Sequence, residues 1–194
     1  TKKYSITRNT KLSLMGDNGF ILYALLRVHQ LDNFLTEKEK TKLLKLTNYL
    51  FDYYEPNFDS RIGSSGAYTF PKGIEFKFDG IVQPFNMMNI YGLALLEWFR
   101  IENNDLVKER ITSLIKTFIN ETELSQNRIL WHYFPNKFYM GWTKEDNLSI
   151  NTPEYKPTTD NLYEDNSHAQ FNALFIYNYR KTFPNGIITS AVYN

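Results

Sequence analysis

The sequence predicts a mainly α-helical fold built from stacked αα-hairpins. Apolar residues recur at helical spacing in five stretches, and the breaks between them carry helix caps and stops. The tripeptides Ala24-Leu25-Leu26, Ala94-Leu95-Leu96 and Ala173-Leu174-Phe175 recur 70 and then 79 residues apart. After the first two copies come a short break and an amphipathic helix. That alternation is the signature of hairpins with apolar inner helices and amphipathic outer ones.

The first helix is predicted from Asp17, with Phe20, Ile21, Ala24, Leu25, Val28 and Leu31 on its inward stripe. After Asp32-Asn33, the spacing Thr36-Glu37-Lys38-Glu39 fits a capping box, opening a second helix to about Tyr54. Its inward residues are Leu43, Leu44, Leu46, Leu50 and Phe51, and Pro56 stops it. Residues 67–70 and 74–78 alternate around Pro71-Lys72-Gly73, which predicts a β-hairpin. Pro84 opens a third helix running to about Asn103. A fourth follows from Asp105 to about Thr122, with Val107, Ile111, Leu114, Ile115 and Phe118 on one face. Residues 127–162 form a long aromatic excursion without helical period, a length usual for loops that are functional or partly disordered. The fifth helix runs from about Ser167 to Thr182, and the last residues are read as a short strand or tail.

At 194 residues the chain is long enough for one domain with a proper core. Lys+Arg 22 against Asp+Glu 21 gives a net charge of +1, which argues against nucleic acid as a partner. No apolar run is long enough for a membrane span, and no apolar leader is present. The chain begins at Thr1 and reads as a processed or excised product. Cysteine is absent, so disulfides, thiolate metal sites and cysteine nucleophiles are excluded. No close histidine pair such as H-E-x-x-H is present, and neither a metal nor a cofactor is expected. The aromatic fraction is 16%, much of it in polar loops, where stacking on sugars is one explanation and compositional bias another.

In an arc of such hairpins the starts of the inner helices share one rim. Counted back from the repeat alanine, Asn86 and Asp165 fall at one position and Asn89 and His168 three residues later, which puts each pair on one helix face. Asp165, Asn166 and Ser167 are good N-caps, and Glu164 and Asp165 lie at the positive end of the helix dipole. Ordinary capping explains these residues as well as a cleft does. If Trp131-His132-Tyr133 is extended, His132 points opposite to both aromatics. It is then an acid or base near neutral pH, or a buried and satisfied histidine. Tyr133, Tyr139, Trp142, Trp131 and Tyr68 are candidates for stacking on sugar rings, with hairpin packing the alternative for Tyr68. Arg61 is either a bidentate clamp for a carboxylate or a solvated loop residue.

Tyr68-Thr69-Phe70-Pro71, Gln83-Pro84-Phe85-Asn86 and Tyr91-Gly92-Leu93-Ala94-Leu95-Leu96 resemble the hairpin-to-helix passage of the C-terminal α/α-toroid domain of glucuronyl C5-epimerases. Glu164-Asp165-Asn166-Ser167-His168 is similar to the start of that family's last inner helix, and α/α-toroid polysaccharide lyases share related features. The resemblance covers roughly residues 60–180. It implies a partial (α/α) toroid over residues 1–194, with a small β-hairpin and long aromatic loops, forming the C-terminal part of a longer protein. It also implies a domain acting on uronic-acid-containing polysaccharide by proton abstraction next to a carboxylate. His132 or His168 would then exchange the proton with Tyr133, Tyr139 or Tyr163, while Asn86 and Asn89 stabilise the enolate-like intermediate.

Two and a half hairpins cannot close a toroid. A homodimer or an N-terminal domain is expected to complete it, in a secreted or cell-envelope setting. The alternative function is a non-catalytic glycan-binding or scaffolding domain. Arg61 separates the two, because uronate specificity calls for a cation at the rim.

Overall fold

The structure is a computed structural model and describes residues 12–74, 76, 78–125, 128–135 and 163–188. Among these, five α-helices dominate: α1 (Met15–His29), α2 (Glu37–Tyr54), α3 (Phe85–Glu102), α4 (Asp105–Asn120) and α5 (Asn166–Thr182). The mainly helical class is thus observed, and each helix lies within a few residues of its predicted span. No described helix is long and apolar enough to cross a membrane.

Local chemistry sets the helix ends. Thr36 accepts a hydrogen bond from the Glu39 backbone and Glu39 accepts one from the Thr36 backbone, so the expected capping box opens α2. Between α3 and α4 the chain reverses through Asn103, whose φ of 51° lies in the left-handed region. Asparagine tolerates that region better than most residues. Asn104 then caps α4 by accepting from the Leu106 and Val107 backbones at 2.9 and 3.1 Å.

The core is organised around α3, in which every residue from Met88 to Trp98 is buried. A helix covered on all sides needs neighbours on all sides. It has α1 on one flank and α5 on the other, and α4 packs back along it. On the remaining side α2 contributes Phe51 against Trp98 and Tyr54 against Tyr91, with ring centroids 5.3 and 5.2 Å apart. Glycines bring the flanking helices close. A Cβ on Gly19 of α1 would lie 2.7 Å from the Tyr91 Cα, and one on Gly92 of α3 would lie 2.6 Å from the Phe175 ring of α5.

Paired residues show that α1, α3 and α5 run parallel. Gly16 meets Met87 and Gly19 meets Tyr91. Asn89 bonds Asn172, Gly92 meets Phe175 and Arg100 bonds Thr182. At the far end Glu97, 2% exposed, accepts from Gln30, just past the end of α1, at 2.8 Å and pairs with Arg100 at 2.5 Å. A buried carboxylate is tolerable only with such partners.

Four expectations are corrected. On α2, Leu46, expected to face inward, is exposed. The predicted inward stripe of α1 is its outward face: Phe20, Ile21, Leu25 and Leu31 are exposed, while Met15, Gly19, Leu22 and Leu26 are buried. The apolar periodicity was real, but α1 carries two apolar faces, and glycine at the closest approach weighed little in a hydrophobicity count. The hairpin around Pro71 is also different. Ala67–Tyr68 (β2) pairs antiparallel with the earlier Phe58–Asp59 (β1), and residues 71–74 and 78–80 form turns and bends that return the chain to bridge Thr69 with Val82. A further antiparallel pair joins Glu123–Ser125 (β3) to Arg128–Leu130 (β4).

Finally, the repeat alanines are not equivalent, since Ala94 is buried whereas Ala24 and Ala173 are exposed. Between α3 and α5 the neighbours stand 83 residues apart, a full turn beyond the 79 of the sequence repeat. The expected strand or tail beyond residue 188 lies outside the described residues.

The Gly19 contact yields a test. Gly19→Ala should raise intrinsic helix propensity by about 1 kcal/mol and still lower stability by about 1–3 kcal/mol, because backbone must move to admit the methyl group. Chemical denaturation measures the difference. Unchanged or increased stability would contradict the close α1–α3 approach.

Candidate functional site

The rim is assembled from the segment after β4 and the start of α5. Residues 131–134 run antiparallel beside 163–164, with His132 bridged to Tyr163 and the Glu164 amide donating to the Trp131 carbonyl at 3.0 Å. The Phe85 amide at the start of α3 donates to the Tyr133 carbonyl at 3.0 Å, which anchors the same segment to the central helix. Extended backbone alternates its side chains, as the sequence led one to expect. His132 stacks on Tyr163 with centroids 4.9 Å apart and planes 13° apart. Trp131 instead turns to Glu164, and Tyr133 meets His168 edge-on at 5.6 Å.

Beneath this surface runs a chain of buried amides. Asn89 on α3 donates to Asn172 on α5 at 2.7 Å. Asn172 donates in turn to Glu164 Oε2, which also accepts from the Trp131 indole N–H. The other carboxylate oxygen, Oε1, is buried without a hydrogen-bond partner, as are the side-chain oxygens of Asn86 and Asn89. Burial therefore pushes Glu164 up to about 7, against the pull of the Trp131 hydrogen bond, the nearby His168 and the Asn172 amide. A carboxyl poised near neutrality can both give and take a proton.

Asp165 is the opposite case. As N-cap of α5 it accepts from the Ser167 and His168 backbones at 2.8 and 3.1 Å and from the Ser167 hydroxyl at 2.5 Å. Those bonds, with His168, hold its carboxyl far below the usual range. Its Oδ2 lies 2.6 Å from His168 Nδ1. The geometry assigns the Nδ1 proton to that contact and turns Nε2 away from Asp165. The His168 side chain is 42% exposed and that of Asp165 61%. The pair thus lies at an open surface, beside a carboxyl kept largely dry.

His132, Tyr133, Tyr163, Glu164, Asp165 and His168 lie together at this rim. Asn86 and Asn89 stand at the start of α3, but Asn89 is 1% exposed and Asn86 7%. Asn89 therefore positions Asn172 and does not face a ligand. Trp131 is likewise engaged as a hydrogen-bond donor to Glu164 and packs against Phe118.

Two candidates are displaced. Tyr68 is fully buried, edge-on to Phe58 and Tyr91, so the packing alternative holds and stacking on sugar is excluded. Arg61 does not join the rim. Its guanidinium forks onto Asp59 at 2.8 and 2.7 Å on an exposed loop and holds that carboxyl near 2. Tyr139 and Trp142 lie outside the described residues.

The sequence reading passed over Asn172. The available signal was an asparagine inside the apolar run from Phe171 to Ile176, where an unpaired amide is costly. No protein-family model, curated protein or solved structure matches the chain.

A glutamate ionises near 4.5 in the unfolded chain and near 7 at this site. The folded state binds the extra proton between those values, so Glu164's contribution is fully present below about 4.5 and is lost as pH rises through 7. Glu164→Gln keeps an oxygen for Trp131 and Asn172 but cannot ionise. Between pH 5 and pH 8 the wild type should lose on the order of 2 kcal/mol relative to this variant. Parallel stability curves for the two proteins would contradict a dry Glu164.

Proposed function

We propose that this chain is a carbohydrate-active domain whose rim moves protons on a uronic-acid-containing polysaccharide, as a C5-epimerase or lyase does. The observation that carries the reading is the pairing of a carboxyl poised near 7, Glu164, with the oriented Asp165–His168 pair at an exposed helix start. Abstraction of a proton next to a carboxylate needs a base and a group that quiets the developing charge. His168 Nε2 takes the proton, with Asp165 stabilising the resulting imidazolium. Glu164 in its acid form, whose buried Oε1 has no partner in the free protein, donates a hydrogen bond to the substrate carboxylate once the rim opens to admit it, the role expected of a cation. Tyr133 or Tyr163 returns a proton from the other side of the sugar, with His132 stacked on Tyr163 to orient it.

The finer architecture belongs to the same proposal. Three parallel inner helices, α1, α3 and α5, with α2 and α4 packed outside them, form an arc of an (α/α) toroid. Support comes from the parallel residue pairings along α3 and from the rim formed at the helix starts.

A second reading, glycan binding without catalysis, is favoured by one observation: Arg61, the cation reserved for a uronate, is engaged with Asp59 away from the rim. Uptake of solvent deuterium into uronate polysaccharides separates the two. Exchange without an unsaturated product marks an epimerase, and an absorbing unsaturated product marks a lyase. In either case His168→Ala should slow the reaction by roughly 10²–10⁴-fold. Retention on immobilised glycan with no exchange would overturn the catalytic reading in favour of binding.

A further inference from the structure

Helix α1 is apolar on two faces. One face, through Met15, Gly19, Leu22 and Leu26, is buried in the core. The other carries Phe20 and Ile21, each 55% exposed, Leu25 at 38% and, just past the helix, Leu31 at 51%. The exposed Ala24 lies among them. Phe20 meets the Phe171 ring of α5 edge-on at 6.2 Å, yet the face as a whole stays open to solvent, and an apolar stripe of this width calls for a partner.

We infer that this face joins two copies of the chain across a twofold axis, with α1 antiparallel to its mate. The inference goes beyond the carbohydrate reading and does not depend on it. Size favours it first. Phe20, Ile21, Leu25 and Leu31 offer roughly 100 Å² each, about half of the ~800 Å² that one partner contributes to a standard interface. Ala24, Val28 and the polar edge add to that area.

Charge selects the antiparallel arrangement. Asp17 stands in the first turn of α1 and Arg27 in the last. Among the described residues Arg27 bonds only the Tyr23 hydroxyl of its own helix, at 3.1 Å. Antiparallel pairing sets each Asp17 beside the second copy's Arg27 and opposes the two helix dipoles. Parallel pairing would set like charges together. Shape agrees with this register. With residue 17 opposite residue 27, Phe20 lies over the second copy's Ala24, a large side chain on a small one, and the axis passes near residue 22.

The test is the mass of the full chain in solution together with single-cysteine crosslinking, which the absence of native cysteine makes clean. Light scattering should give twice the chain mass. Ile21→Glu should halve it with an unchanged far-ultraviolet spectrum. Near the axis, Ile21→Cys should crosslink to its mate under mild oxidation, since the two positions are offset by about 3 Å along the helices. Leu31→Cys should not, because its mate is roughly 25 Å away along the axis. A monomer at all concentrations would overturn the inference and leave the face to a different partner. So would a dimer untouched by Ile21→Glu with no Ile21→Cys crosslink, or equal crosslinking at both positions.

Discussion

The close approach of α1 and α5 to α3 is the constraint on which the other features depend. At Gly19 and Gly92 there is no room for even one more carbon atom. Three parallel helices are thereby held in one layer, with their starts on the same side. Parallel helices align their dipoles, and the layer needs polar links along its length to offset the mutual repulsion of like ends. Those links are present at both ends: Asn89 to Asn172 near the starts, and Glu97 with Gln30, Arg100 and Thr182 near the ends. Each link joins neighbouring helices at a fixed register, so the packing and the polar network define the same alignment.

The rim inherits its chemistry from this layer. Asn172 is immobilised by Asn89 from below, and only then can it aim its amide at Glu164. Trp131 reaches the same carboxylate because its segment is tied at one side to Phe85 and at the other to Glu164 itself. Glu164 and Asp165 are consecutive residues, yet one is drawn upward by burial and the other downward by a helix cap. Two neighbouring carboxyls are thus held in opposite protonation tendencies by their surroundings alone. The network also explains the burial of Asn89: it holds Asn172, which in turn holds Glu164.

The sequence made the helices legible because their caps and apolar periods are local. Thr36, Asn104 and Asp165 each act on the next two or three residues, and such signals survive without tertiary knowledge. The gathering of His132, Tyr133, Glu164, Asp165 and His168 was readable for a related reason, since all lie at helix starts or in the segment feeding them. What was hidden is non-local. The orientation of α1 was decided by Gly19 against Tyr91, a contact between residues far apart in sequence and invisible to hydropathy. The burial of Tyr68 follows from its pairing with residues upstream of it, not with the alternating stretch downstream. Arg61 is the exception to this: it was captured by a carboxylate two residues away, a local pairing that outcompetes a distant cleft.

At the rim, burial keeps the Glu164 carboxyl dry enough to share its proton near neutral pH. The indole N–H of Trp131 donates directly to that carboxyl, so its nuclear magnetic resonance signal reports the titration without perturbing it. Followed against pH, and identified by its loss in Trp131→Phe, the signal should move with a midpoint near 7. A midpoint near 4.5, the value of a solvated glutamate, would show that the carboxyl is wet and would contradict the account.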